Sequence, residues 1–214
     1  MTTPVSRRRE HTRTRLLDAA AEVFAEVGLE GASVEAICER AGFTRGAFYS
    51  NFESKDELFL ELASTVAERR LASVRERIAE FTATGELGGD MDPAALVQKV
   101  LASGDDDRLS VLMMSEIRIR ALRDESFGSA WIAQERDMLA SIEGIIQGIV
   151  DSGLFALRVG VPEAARMLML VWEGAMVRGA VEGHDHARLH RAGGEVLGQL
   201  VRLVIDPSAE SAAG

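Results

Sequence analysis

Several things are scarce in this 214-residue chain, and each scarcity excludes something. One cysteine, Cys38, rules out an internal disulfide. Between Ile37 and Ala41 on a short helical stretch, it reads as a small buried hydrophobe in a reduced compartment, since a redox sensor needs an exposed thiolate beside positive charge. Only four prolines and little alternation of β-branched residues leave few helix breakers and argue against sheets. No apolar run approaches membrane-spanning length, and the basic N-terminus lacks a following apolar segment. A cytoplasmic protein without a membrane partner or a signal peptide is expected. No glycine-rich phosphate loop and no serine, histidine and acid constellation is present, which leaves no catalytic residues to name and no cofactor to expect. No internal repeat is visible.

Net positive charge is also missing. The chain carries −10, which argues superficially against a nucleic-acid partner. Its distribution says otherwise. Residues 1–52 hold seven arginines and seven acids, so the whole excess lies farther along. Exposed charges more than about 8 Å apart are largely screened at physiological salt, so a remote acidic region need not oppose docking. Within residues 1–17, Arg7, Arg8, Arg9, Arg13 and Arg15 face one acid, Glu10. This run is either a solvated tail or an arm for DNA backbone or minor-groove contact, and its position favours the arm.

What is abundant is helical pattern. Leu16, Leu17, Ala20, Val23, Phe24 and Val27 recur at helical spacing from about Arg13 to Val27, with Gly28 as the stop. Residues 33–52 then read as two short helices broken at Gly42, with Ser33 and Thr44 as N-caps and room between them for only a tight turn, the join of a helix-turn-helix. Phe48 and Phe52, four apart, share a buried face with Ile37, Ala41 and the first helix. Arg45 stands in the first turn of the second helix, where a docked recognition helix reads bases.

Ser54 and Glu57 fit a capping box that opens a helix through Leu58, Leu62, Val66 and Leu71 toward Phe81. Roughly 25 residues make a rod near 40 Å. A glycine-rich loop over residues 84–90 ends at Asp92-Pro93, a cap with proline in the first helical position. A short helix to about Ala102 breaks at Ser103-Gly104, and Asp105, Asp106 and Asp107 place negative charge at the next N-terminus rather than forming a metal site. Further helices are expected over about 109–122, 127–151 and 162–183, and from Asp185 or His186 to Asp206.

The run Ala41-Gly42-Phe43-Thr44-Arg45-Gly46-Ala47-Phe48-Tyr49-Ser50-Asn51-Phe52, followed by Lys55 and Leu58, resembles the signature of the tetracycline repressor (TetR) family over about residues 10–70. It departs from that signature at Asn51, where histidine is common, at Cys38, where alanine is common, and at Phe43, where valine is common. The resemblance implies an all-α protein: a three-helix DNA-binding domain (10–70, motif 33–52), joined by a long helix to a helical regulatory and dimerisation domain (71–206). Residues 1–9 and 207–214 are expected to be disordered.

It also implies site residues. Ser33, Thr44, Tyr49, Asn51 and Lys55 would sit on phosphates, and Arg45, Gly46 and Ala47 would approach base edges of a pseudo-palindromic double-stranded operator. Arg45 can take a bidentate guanine contact, and the Ala47 methyl can meet thymine. An inducer is expected in the second domain, apolar or amphipathic, held among Met113, Trp131, Met138, Met169, Trp172 and Met176 with Glu116 or Arg120 as polar anchor. Spacing alone leaves two alternatives open: the methionines and tryptophans are ordinary core, and Glu116 pairs with Arg120 four residues on. Ala175, Gly179, Gly183, Gly194 and Gly198 form small-residue stripes on the last two helices, where related proteins build a homodimeric four-helix interface. His184, His186 and His190 surround a helix start, and a metal there is the weaker reading. The expected function is a dimeric transcriptional repressor released by a ligand. The alternatives are an activator, a regulator without inducer and, less favoured, an all-helical enzyme.

Overall fold

The computed structural model describes residues 4–84, 92–101, 108–153 and 155–206. They are helical almost throughout: α1 (Pro4–Gly31), α2 (Val34–Ala41), α3 (Arg45–Tyr49), α4 (Lys55–Ala83), α5 (Pro93–Leu101), α6 (Arg108–Arg123), α7 (Glu125–Asp151), α8 (Val161–Val181) and α9 (His186–Val204). Two short strands, β1 (Ala156–Leu157) and β2 (Ile205–Asp206), pair antiparallel. The all-α expectation holds, and the helix boundaries fall within a few residues of those read from pattern, except at the start of α1.

There the arginine run is helical from Pro4, so residues 4–9 are not the disordered tail expected. Arginine and glutamate are good helix formers, and Thr12 and Thr14 bond back to the carbonyls of Arg8 and Glu10. At Gly28 the backbone leaves helical geometry (φ 72°, ψ 175°), so the expected stop is a kink rather than an end. The expected loop over residues 85–90, the break at Ser103-Gly104, the three aspartates and the tails 1–3 and 207–214 lie outside the described residues.

The chain forms two compact units. The first contains α1, α2, α3, the start of α4, and residues 112–132 of α6 and α7. Leu16, Ala20, Phe24, Ile37, Phe48, Phe52, Leu58 and Phe59 are buried in it. Each phenylalanine so buried contributes on the order of 1.5–3 kcal/mol over exposure. Phe24 meets Phe59 edge to face at 6.1 Å. Residues 112–132, expected to belong to the second domain, cluster here instead. At the α6–α7 join, a Cβ on Gly128 would stand 2.8 Å from the Ala121 carbonyl oxygen, so only glycine fits.

In the second unit α9 packs on both α5 and α8. Trp172, Met176 and Ala180 of α8 are buried with Leu189 and Leu197 of α9 and with Val111. Asp92 caps α5 through the Ala94 amide (3.1 Å) and also pairs with Arg202 of α9. Arg202 above all holds the Asp92 carboxyl below the usual carboxylate range. This contribution to stability is present at neutral pH and is lost as pH falls through the lowered value.

Candidate nucleic-acid interface

The helix-turn-helix is set by its caps. Ser33 Oγ accepts from the Ala36 amide at 3.1 Å, and Thr44 Oγ1 from the Ala47 amide at 3.2 Å. Both hydroxyls retain a proton to donate. Between the helices Gly42 takes a left-handed conformation (φ 73°). Its amide bonds to the Glu39 carbonyl, and the Phe43 amide bonds to the Cys38 carbonyl. A side chain there would be strained, which is why glycine ends α2. Arg40 fixes α2 on α1 by reaching Glu22 (3.1 Å) and Glu26 (2.8 Å). Cys38 is buried, and burial, followed by the charge of Glu35, pushes its thiol up, as suits a structural cysteine.

Burial sorts the expected contacts. Ser33, Thr44, Arg45, Gly46 and Tyr49 are exposed and Ala47 is half-buried. Around Gly46 the nearest atom a Cβ would meet is Thr44 Oγ1 at 3.7 Å, so nothing inside the chain requires glycine there. Close approach by an outside partner would.

Two expected phosphate contacts fall elsewhere. Asn51 is buried, its Nδ2 donating to the Ala47 carbonyl at 2.8 Å, so its side chain closes α3 instead of reaching outward. Lys55 is half-buried with Nζ donating to the Leu29 carbonyl at 3.0 Å. It staples α4 to the turn after the Gly28 kink. Lys55→Ala is therefore expected to destabilise the unit by about 1–2 kcal/mol, the range for hydrogen bonds from charged donors. Chemical denaturation checks this, and an unchanged midpoint would return Lys55 to the surface.

Arg13, assigned by sequence to the basic arm, also turns inward. It forks onto the Glu61 carboxylate, donates to the Asn51 carbonyl, and lies 4.4 Å from the centre of the Phe52 ring. Its partners lie 48 and 38 residues away, beyond any local pattern. The only available signal was its place one turn before the buried Leu16 and Leu17.

Glu116 and Arg120 do not pair with each other. Glu116 accepts from the Leu29 amide at 2.6 Å, beside Gly28, while Arg120 bonds Asp56 in the first turn of α4 at 2.8 Å and reaches Asp124 at 3.5 Å. The residues just before and just after the helix-turn-helix are thus both bonded to α6. Of the other ligand candidates, Met113 and Trp131 are buried in the first unit, and Trp172 and Met176 in the second, where Arg70 lies 4.2 Å above the Trp172 ring. Met138 and Met169 are half-buried.

Three of the small residues expected in the seam, Gly179, Gly194 and Gly198, face their own chain. A Cβ on Gly179 would stand 2.8 Å from Leu189 Cδ2, one on Gly194 3.6 Å from Gln98, and one on Gly198 3.1 Å from the Ala94 methyl. Gly183 (φ 77°) makes the turn after α8, and Ala175 is half-buried. Gly193, which spacing did not single out, lies against Trp172, 2.8 Å from ring to added Cβ. His190 is buried against the Leu101 carbonyl, and among the described residues no group of three or more acids, histidines or cysteines is placed to hold a metal. No described helix is long and apolar enough to cross a membrane.

Residues 16–62 match the family described as bacterial regulatory proteins, tetR family. The transcriptional regulator UidR of Escherichia coli (strain K12) is 43% identical over 67 residues, which are 31% of this chain and 34% of that protein. The chain thus spans about a third of the length of the curated relatives it matches. Among solved structures, SmeT, the repressor of the Stenotrophomonas maltophilia multidrug efflux pump SmeDEF, is 25% identical with a TM-score of 0.60 over 92% of each chain. FadR from Bacillus subtilis, in complex with stearoyl-CoA, is 18% identical with a TM-score of 0.59 over 86% of this chain and 96% of that one, a likeness of fold.

Proposed function

From the premise that this chain belongs, through its DNA-binding domain, to the tetR family of bacterial regulatory proteins, we propose that it is a homodimeric transcriptional repressor that leaves its operator when a small apolar or amphipathic ligand binds. The observation that carries the DNA half of this reading is the exposed surface of the helix-turn-helix. Ser33, Thr44 and Tyr49 offer hydroxyls to phosphates, Arg45 offers a guanidinium to a guanine, and Gly46 leaves room for the duplex. SmeT, a repressor of the same fold, supports the sign of regulation.

Dimerisation is assigned to a different stripe from the glycines. On α8, Met167, Leu170, Gly174, Val177 and Val181 follow spacings of three and four and are all exposed, Leu170 at 60% and Val181 at 80%. On α9, Val196 (42%) and Leu203 (70%) continue an exposed apolar face. Spacings of three and four make a straight seam for a second helix pair. The occupant we assign is a second copy of this chain, which presents the same face and closes a two-fold interface. Two heads then read two half-sites, so the operator is a pseudo-palindrome with centres about 34–36 Å or a multiple apart.

Release runs through α6, because Glu116 and Arg120 hold the backbone and the helix start on either side of the motif. A ligand that shifts α6 changes the pose of the head only by as much as it prefers one state, and moving the balance from 1:99 to 99:1 takes about 5.5 kcal/mol. The acyl thioester held by FadR motivates a long-chain acyl-CoA as first probe. The expected result is that the probe weakens operator binding by wild type, and that Glu116→Gln binds the probe as tightly while its operator affinity responds less. Tight probe binding with unchanged operator affinity would count against release by that ligand, and operator binding indifferent to every small molecule tried would favour a regulator without inducer.

A further inference from the structure

α3 carries one cation, Arg45, and that cation has partners. Its Nη1 lies 2.5 Å from Glu35 Oε1 in the first turn of α2, and its guanidinium carbon lies 5.9 Å from the centre of the Tyr49 ring. Both ends of the ion pair are exposed, Arg45 at 60% and Glu35 at 58%, so the pair stands on the surface assigned to DNA. An exposed ion pair contributes little to folding. Against a duplex, an acid also opposes the phosphate neutralisation that supplies non-specific affinity. Glu35 therefore opposes generic binding; the helix dipole favours a carboxylate in the first turn of α2, and its ion pair adds a second role, the holding of Arg45.

We propose that Glu35 is a specificity-determining residue of the reading head: its carboxylate holds one end of the Arg45 guanidinium, so that Arg45 meets a base edge in one orientation. This rests on the reading of Arg45 as the base-contacting residue. A guanidinium has five N–H donors in a fixed fork, and a bidentate guanine contact uses two, so Glu35 and a guanine can be served together. Water leaves the interface on docking, and the attraction between the two charges strengthens as the effective dielectric falls. Were Arg45 to swing onto a phosphate, Glu35 would be left unpaired beside a polyanion. The same carboxylate thus rewards the reading pose and penalises the non-specific one, which is specificity by an added repulsive element. The guanidinium is held further above its usual range, first by the Tyr49 hydroxyl and next by Glu35, which agrees with a side chain fixed from two sides.

The test uses the full chain and the operator that wild type selects from random duplexes. Wild type, Glu35→Gln, Arg45→Ala and the double variant are titrated against that operator, against each single-base change at the Arg45 pair, and against a scrambled duplex. Glu35→Gln is expected to bind the scrambled duplex more tightly and the operator no more tightly, so that discrimination at the Arg45 pair falls by about tenfold while other positions keep theirs. In the Arg45→Ala background Glu35→Gln should raise both affinities by one factor. If Glu35→Gln alone raised operator and scrambled affinity equally, Glu35 would be a solvated charge and no more. If it raised operator affinity more, the pair would be an inhibitory clamp, and either outcome overturns the proposal. A wild type that enriches no sequence would instead remove the reading of Arg45 itself.

Discussion

Arg45→Ala should cost about 1–3 kcal/mol for each half-site and relax base preference at one position in each. The effect doubles in a dimer because both heads lose the contact, which places it among the largest expected here. Arg45 is exposed and its ion pair is a surface one, so the variant should unfold at the wild-type denaturant midpoint. Titration against the operator and its single-base variants is the measurement. Full affinity with unaltered preference in Arg45→Ala would move the reading role to another residue.

A second large effect is expected from Leu170→Glu combined with Val181→Glu. Both positions are exposed in the single chain, so the fold should survive. Across a two-fold interface the substitutions would bury unpaired carboxylates, each on the order of 3–5 kcal/mol by analogy with a broken buried ion pair. Light scattering should report the single-chain mass of 23.2 kDa for the variant and twice that for wild type. Gly179→Leu serves as the contrast. Its added carbon meets Leu189 within its own chain, so it should lower the unfolding midpoint by overpacking, about 1–3 kcal/mol, whatever it does to assembly. A doubly substituted chain that stayed dimeric would place the interface elsewhere.

Local chemistry explains what could be read from sequence. Ser33, Thr44, Asp92 and Asp185 each satisfy an amide two or three residues ahead, and a signal confined to a few residues is visible in a string of letters. Ser54 behaves likewise toward the Glu57 amide, although Glu57 returns its carboxylate to Glu53 instead of Ser54. The roles that sequence misplaced belong to polar side chains with distant partners. Lys55 and Glu116 bond the backbone of Leu29 from 26 and 87 residues away, and a main-chain acceptor or donor leaves no residue type to recognise. Glycines were legible as small but not as facing anything in particular. Only packing reveals that Gly193 accommodates Trp172 and that Gly198 admits Ala94. The β1–β2 pair, two residues on each side, is too short for any periodicity to register.

The exposed surface of α2 and α3 is expected to read DNA sequence. The most direct measurement is repeated selection of the 214-residue chain on a pool of random duplexes at physiological salt. The expected result is enrichment of a pseudo-palindrome whose two halves each hold a guanine that Arg45→Ala ceases to require, bound about a thousandfold or more above scrambled DNA. A pool that emerges without any enriched sequence would contradict the account.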